Sequence, residues 1–310
     1  MGIILFFNDL IGALPGAVSQ GLIWGIMAIG VYLTFRILDI ADLTVDGSFA
    51  TGGAVGVMCI LSGWNLWAAM LAAVIAGVVT GLVTGLLHTF MGIPAILAGI
   101  LSQLGLYSVN LKIMGKSNQS VNVNNTDLLI SLRWVREFAL HNPLILVSIV
   151  VIVTIAVLYW FFGTEMGCGI RATGANLKMS RAQGINTELN KVIGLMISNG
   201  LVAFSGAWLA QYQGFADVNM GRGAIVIGLA AVVIGEAIFS KIFINFALKL
   251  LSVAFGAIIY YIVVQAVITL GIDANLLKLL SASIVAIFLA VPYWKNKLMR
   301  RNVAGRKAVN

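Results

Sequence analysis

Residues 66–87 read LWAAMLAAVIAGVVTGLVTGLL and contain no charged side chain. About 20 consecutive apolar residues are enough for a helix to cross the hydrocarbon core of a bilayer. Gly77, Gly81 and Gly85 recur every four residues, so they share one face of such a helix, where small residues let a second helix approach closely. We therefore expect a transmembrane helix that packs tightly within a bundle.

The rest of the chain has the same character. Of its 310 residues, 60% are apolar and only 10% are charged, and the mean hydropathy is +1.02. Soluble domains carry roughly 25% charged residues, so this composition excludes a water-soluble globule. It predicts an all-α fold, a polytopic membrane helical bundle with no room for a soluble catalytic domain.

Apolar runs divided by short polar breaks predict about nine transmembrane spans, within a range of eight to ten. The second is short and rich in glycine, which is typical of a bent or re-entrant segment buried in protein. The predicted helices are residues 15–35, 47–62, 66–87, 94–114, 143–162, 192–210, 223–240, 246–270 and 275–291.

Basic residues give the orientation, because Lys and Arg accumulate in cytoplasmic loops. Six of them follow Pro292 in the C-terminal tail, and four lie in the loop 163–191. Both segments are therefore predicted to be cytoplasmic, and the four spans predicted between them agree with this. The N-terminus and the segment 115–142 are then expected outside.

Two short stretches resemble each other. Ile40-Ala41-Asp42 precedes an apolar helix rich in Gly and Ala, and Phe215-Ala216-Asp217 precedes a similar one. In the predicted topology the preceding spans run in opposite directions, as an inverted repeat would require. Chance similarity between such helices is the alternative.

Acidic residues cluster after the first span. Asp39, Asp42 and Asp46 follow Arg36 at spacings that share one face of a helix. Charge in hydrocarbon is costly, so these carboxylates are candidates for the lining of a path or gate through the membrane. The structural alternative pairs Asp39 with Arg36 and uses Asp42 and Asp46 to cap the next helix.

Three further residues are candidates for the same path or gate. Glu236 lies near the end of the seventh span and either pairs with Lys241 or forms a gate. Trp208 and Phe215 either stack on an apolar solute or anchor the chain at the membrane interface.

No catalytic or metal-binding pattern accompanies these residues. Gly115-Lys116-Ser117 resembles the end of a phosphate-binding loop, but the required earlier glycine is missing and no strand precedes it. Cys59 and Cys168 form no spaced metal-binding pair. We expect no catalytic residue and no metal, so energy for uphill transport must come from a partner or an ion gradient.

The loop 163–191 is the most informative part of the chain. Thr173 is suited to cap a short helix from Gly174 to about Gln183, and Gly184 is suited to end it. Such a helix across the end of the bundle is suited to docking into a partner's groove. An ordinary basic loop is the alternative.

Here the sequence resembles a known family. Gly167-x-x-Ile-Arg-Ala-Thr-Gly-Ala-Asn176, followed by Ala182-x-Gly-Ile-Asn186 and a span, is similar to the coupling segment of ATP-binding-cassette (ABC) importer permeases of the branched-chain amino acid and ribose type. The resemblance implies that this segment contacts the ATPase subunit. The residues that it assigns to coupling are Arg171, Ala172, Gly174, Asn176, Lys178, Arg181 and Gly184.

Two departures narrow the resemblance. Asp42-Leu-Thr-Val-Asp-Gly-Ser-Phe49 and Ile234-Gly-Glu-Ala-Ile-Phe239 differ from the usual branched-chain pattern. They look like a sister group of permeases associated with tryptophan/tyrosine-type uptake systems. The resemblance therefore favours an amino acid as the solute, and within that class an aromatic one.

The resemblance also implies an assembly. Residues 1–291 would form one transmembrane permease domain in the plasma (inner) membrane of a bacterium, and residues 292–310 a basic cytoplasmic tail. Expected partners are two copies of a cytoplasmic ABC ATPase, a second permease copy as a homodimer, an extracytoplasmic substrate-binding protein and membrane lipid, but no nucleic acid. This chain would bind no cofactor, because ATP and Mg belong to the partner ATPase.

Other functions remain open at this stage. An ion-coupled secondary transporter would use Asp39, Asp42, Asp46 and Glu236 as proton or sodium sites. An importer of the same type for a sugar or nucleoside, a channel and a membrane scaffold are further alternatives.

Overall fold

The computed structural model describes residues 2–121, 128–136, 142–239 and 242–270, with isolated positions between 279 and 290. Within these ranges the chain is mostly α-helical. The elements are α1 (Gly2–Tyr32), a π-helical turn (Leu33–Ile37), α2 (Val45–Leu61), α3 (Leu66–Thr89), α4 (Ala95–Met114), β1 (Asn118–Ser120), a 3-10 turn (Leu132–Arg136), α5 (Pro143–Phe162), α6 (Glu165–Ala175), α7 (Leu177–Ala182), α8 (Thr187–Gln213), β2 (Phe215–Asp217), α9 (Ala224–Phe239) and α10 (Phe246–Thr269).

Six helical stretches in the described part are long and apolar enough to cross a membrane. They are Asn8–Ile37, Leu66–Thr89, Ala95–Met114, Pro143–Phe162, Thr187–Gln213 and Phe246–Thr269. Each of the first eight predicted helices has a counterpart, but α2 and α9 are shorter than these six. The predicted span 275–291 is described only at isolated positions, and the tail 292–310 lies outside the described residues. The total of nine spans and the inverted repeat stay predictions.

The centre of the bundle is formed by α1 and α8, whose most apolar windows are 83% and 72% buried. The glycine stripe of α3 faces α8 as its spacing predicts: Gly77 lies against Asn199, Gly81 against Leu195 and Gly85 against Val192. The absence of side chains on the stripe brings the two backbones into contact, which is the main way that membrane helices gain packing energy.

The short helices α2 and α9 start at the same place and run in opposite directions. Gly52 and Gly56 of α2 follow α8 toward its C-terminal end, where they face Ala203 and Ala207. In contrast, α9 follows α1 toward the π-helical turn, with Gly228 against Val31. At 1.5 Å per residue each helix is about 25 Å long, less than the ~30 Å hydrocarbon core.

A small antiparallel ribbon closes the end of the bundle where α8 finishes. Its strands pair with Asn118 opposite Asp217 and Ser120 opposite Phe215. Ala216 of β2 is buried against the side of α2. From this ribbon the chain returns along α2 to the start of α9, with Met220 beside Gly53.

The contact between α2 and α8 predicts a contrast between two glycines. In Gly52→Ala the new methyl group meets the Ala203 backbone, whereas in Gly105→Ala, on α4, it meets open space. We expect Gly52→Ala to lower the free energy of unfolding by about 1–3 kcal/mol. Gly105→Ala should leave it unchanged or raise it by up to about 1 kcal/mol, because alanine favours helix. Thermal unfolding in detergent measures both, and equal melting temperatures would contradict the packing.

Candidate functional site

The predicted coupling residues lie on two short helices that are joined at Asn176. Thr164 caps α6 by accepting a hydrogen bond from the Gly167 N–H (3.4 Å). Asn176 has extended backbone, which ends α6, and its side chain accepts a hydrogen bond from the Met179 N–H (3.0 Å) to start α7. We call residues 165–182 the α6–α7 segment.

Two local predictions about this segment are corrected. The single helix expected over residues 174–183 is instead the end of α6 and the whole of α7. Thr173 does not act as its cap, because it lies inside α6, where its hydroxyl donates to the Gly169 carbonyl (2.7 Å) and accepts from Asn190 (3.2 Å). Gly184 follows α7 with φ +79°, so its predicted role as the helix end is confirmed.

One helix of the segment is docked and the other faces outward. Buried Gly167, Ile170 and Thr173 hold α6 against the bundle. On α7, Lys178 and Arg181 are exposed, and 58% of Met179 is exposed. Exposed cations around a large apolar side chain give α7 the character of a partner-binding surface.

The docked helix directly touches the π-helical turn Leu33–Ile37, which continues α1 and which we call the end of α1. Gly174 packs against the Ile37 carbonyl, where any side chain would collide with the backbone. The neighbouring Arg36 makes a salt bridge to Glu236 of α9, with 2.9 Å between Nε and Oε1. Contacts therefore run without a gap from the α6–α7 segment through the end of α1 to α9.

This salt bridge corrects one predicted pairing. Among the described residues Arg36 pairs with Glu236 and not with Asp39. Asp39 lies beyond the π-helical turn with φ +56°, so residues 36 and 39 do not share a regular helix face. Lys241, the predicted partner of Glu236, lies outside the described residues.

The other two aspartates serve the starts of the short helices. Asp42 accepts the Thr44 N–H (2.9 Å) just before α2. Asp46 accepts two backbone N–H groups at the start of α9, from Gly223 (2.9 Å) and Ile225 (3.0 Å). Neither residue caps α2 as the structural alternative expected: Asp42 binds the N–H of Thr44, the residue before α2, and Asp46 caps α9. We call Asp42, Asp46 and the first turns of α2 and α9 the helix-start junction.

A buried polar network that the sequence reasoning missed surrounds this junction. The Asn199 amide donates to Asp42 (2.7 Å) and accepts from Ser48 (2.6 Å). Ser48 also contacts Thr80 (2.7 Å) on α3. Asn199 lies halfway along α8, which places the network midway through the bundle. The only available signal was the presence of small polar residues in otherwise apolar runs.

The two aromatic candidates lie apart from the junction's carboxylates. Trp208 is fully buried, with its ring edge-on to Trp67 and Phe204. Phe215 is partly exposed on β2, next to the end of α8. The structure therefore gives Trp208 a packing role, and stacking on a solute stays a prediction for Phe215.

Similarity to known proteins shows the family of the chain. The family model described as the branched-chain amino acid transport system permease component matches residues 14–293. The chain belongs to this family of ABC transporter permeases. It is an integral membrane protein, and the residues quoted above for the family resemblance lie within the matched range.

Individual relatives of the permease are named for different solutes. A tyrosine transport system permease protein of Clostridioides difficile is 37% identical over 92% of both chains. A fructose import permease of Bifidobacterium longum is 27% identical over 97% of this chain and 83% of the relative. A solved inward-facing ABC transporter, described as of metal-chelate type, has 15% identity and a TM-score of 0.50 over 91% of this chain and 85% of its own. This last likeness concerns the fold alone.

The helix-start junction of the permease predicts a matched pair of variants. Asp46→Asn retains one side-chain oxygen, that of the amide carbonyl, and therefore leaves one of the two N–H groups at the start of α9 without its acceptor. A buried unsatisfied donor costs about 1–3 kcal/mol, so we expect the melting temperature in detergent to fall. Asp39→Asn makes the same chemical change at an exposed carboxylate and should leave melting unaltered. Equal melting of the two variants would exclude the capping role of Asp46.

Proposed function

We propose that this permease is the membrane subunit of a bacterial ABC importer for an aromatic amino acid. The tyrosine transport relative, which is more similar than the fructose permease, supports this class of solute. Residues 42–49 and 234–239 point to the same class through the sister-group resemblance. In this proposal an extracytoplasmic binding protein delivers the solute, and the permease works as a homodimer.

Energy enters at the α6–α7 segment, which lies on the cytoplasmic side in this proposal together with the C-terminal tail. A partner ATPase, present in two copies, binds ATP and Mg and docks on α7. Lys178 attracts acidic groups on its surface, and Arg181, which also contacts Glu188 (3.4 Å), is close enough to contribute. Asn176 permits α7 to change angle relative to the docked α6, because the two helices have no shared backbone ladder across it.

The observation that carries the proposal is the contact between Gly174 and Ile37. It joins the segment to the end of α1, and the Arg36–Glu236 salt bridge continues the connection into α9. Because α9 is held by Asp46 at its other end, a displacement of α6 changes the position of both short helices. Coupling of this kind needs two arrangements of the bundle whose balance the ATPase shifts.

Three of the four candidate carboxylates have structural partners, which disfavours the alternative of an ion-coupled transporter. Asp42 and Asp46 both accept backbone N–H groups, and Glu236 pairs with Arg36. A proton or sodium ion at one of these carboxylates would compete with donors that already hold its charge. We therefore place Asp42, Asp46 and Glu236 in the mechanical frame of the translocation path and leave direct contact with the solute to other groups.

Uptake by the complete transporter in proteoliposomes tests the proposal. We expect ATP-dependent accumulation of radiolabelled tyrosine, competition by unlabelled tryptophan and no effect of fructose. An ionophore should leave uptake intact. Uptake that ignores ATP but collapses with the ionophore would establish the secondary transporter instead.

A charge-reversed variant then tests the coupling surface. Lys178→Glu with Arg181→Glu should reduce co-purification with the ATPase by at least about tenfold, since each close charge pair contributes on the order of 1 kcal/mol or more. Lys112→Glu with Lys116→Glu reverses the same charge near β1 and should retain the ATPase. Normal ATP-driven uptake by the α7 variant would contradict docking at α7.

A further inference from the structure

A basic cavity of about 660 Å³ lies where the end of α1, the helix α6 and the start of α10 meet. Its walls include the cations Arg36, Arg171 and Lys249. Arg36 is paired with Glu236, but within the described part of the chain no carboxylate lies in salt-bridge contact with Arg171 or Lys249. The cavity therefore carries two uncompensated positive charges, which favour an anionic ligand.

A second cavity of about 570 Å³ shares Arg171 and extends to the end of α5. Two aromatic side chains stand at its rim: Trp160 is 72% exposed and Tyr159 is 49% exposed. Exposed Trp and Tyr at the ends of apolar helices mark the membrane–water interface. The Arg171 guanidinium, 5.4 Å from the centre of the Phe246 ring, is thus at the level of lipid headgroups.

Apolar side chains continue from this rim along α5. Ile152, Val153 and Val157 are all more than half exposed and belong to a helix that crosses the membrane. A molecule seated at Arg171 would therefore meet cations at one end and an uncovered hydrocarbon surface at the other. This order of charge, aromatic rim and apolar face matches the chemistry of a phospholipid.

We propose that this basic cavity binds the phosphate headgroup of an anionic phospholipid whose acyl chains lie along α5. Arg171 offers a planar fork of N–H donors that suits a phosphate, and Lys249 adds a second charge from α10. The lipid would bridge α6 and α10 and thereby hold the docked helix of the coupling surface in place. This inference is independent of the transported solute.

An acidic surface of the ATPase is the competing occupant. Its natural site is α7, where Lys178 and Arg181 are exposed, although Arg181 also reaches back to Glu188 at the start of α8 (3.4 Å). Arg171 belongs instead to α6 and lies over the face of the Phe246 ring. The aromatic rim and the continuous apolar surface therefore favour lipid.

Native mass spectrometry of the permease, purified in detergent without ATPase, tests the site. The probe is an equimolar mixture of phosphatidylglycerol and phosphatidylcholine. We expect wild type to retain phosphatidylglycerol in preference to phosphatidylcholine. In Arg171→Gln with Lys249→Gln this preference should be about 30-fold weaker, because each basic group near a lipid surface contributes about 1 kcal/mol. Lys178→Gln with Arg181→Gln removes the same charge from α7 and should keep the preference.

Further arms keep the result decisive. Arg171→Lys with Lys249→Arg preserves the charge and should retain phosphatidylglycerol. If the neutral variant, Arg171→Gln with Lys249→Gln, does not fold, wild type alone still tests the site, because its preference for phosphatidylglycerol should fall as the salt concentration rises. Equal retention of both lipids by wild type would overturn the proposal. So would a neutral variant that keeps the lipid preference but loses ATPase, which would assign the cavity to that subunit. Inorganic phosphate bound at this site without any lipid preference would assign it to a free phosphate ester.

Discussion

A helix that begins inside a membrane bundle exposes backbone N–H groups that water cannot satisfy, and the Asp46 carboxylate meets this requirement for α9. The rest of the arrangement depends on this interaction. It fixes two short helices to a common starting level, from which α2 runs toward one end of α8 and α9 toward the other. Shortened helices that begin within a bundle need internal partners, and discontinuous helices form the pathways of many transporters. Asn199 and Asp42 complete the junction by joining it to the central helix α8.

A continuous run of contacts joins the junction to the α6–α7 segment. Gly174 contacts the end of α1, and Arg36 links that end to Glu236 of α9. In our proposal, the charged groups along these contacts affect transport by transmitting movement, without touching the transported solute. A buried carboxylate in a transporter is readily taken for an ion or substrate site, but here the carboxylates hold helix ends in position. Membership in the permease family, with energy supplied by a separate subunit in our proposal, agrees with such a passive frame.

Local patterns predicted much of the fold. The predicted bounds of α5 match the structure, and the glycine stripe of α3 packs on α8 as its spacing requires. The Arg36–Glu236 pair joins residues 200 positions apart, so no local pattern indicates it. Asp46 was expected to cap its own helix because sequence proximity suggests nearby partners, whereas tertiary packing brings the start of α9 to it. The break at Asn176 was missed for a related reason: Thr173 and Asn176 both suit a helix start, and only the burial of Thr173 decides between them.

The most direct test of the mechanical connection is hydrogen exchange in the complete transporter, compared between the nucleotide-free state and an ATP-trapped state. We predict that the exchange rates of residues 174–182 and of residues 221–228 change together, because the contacts through α1 and α9 transmit the movement of the segment to the junction. A change confined to residues 174–182, with residues 221–228 exchanging at the same rate in both states, would contradict it.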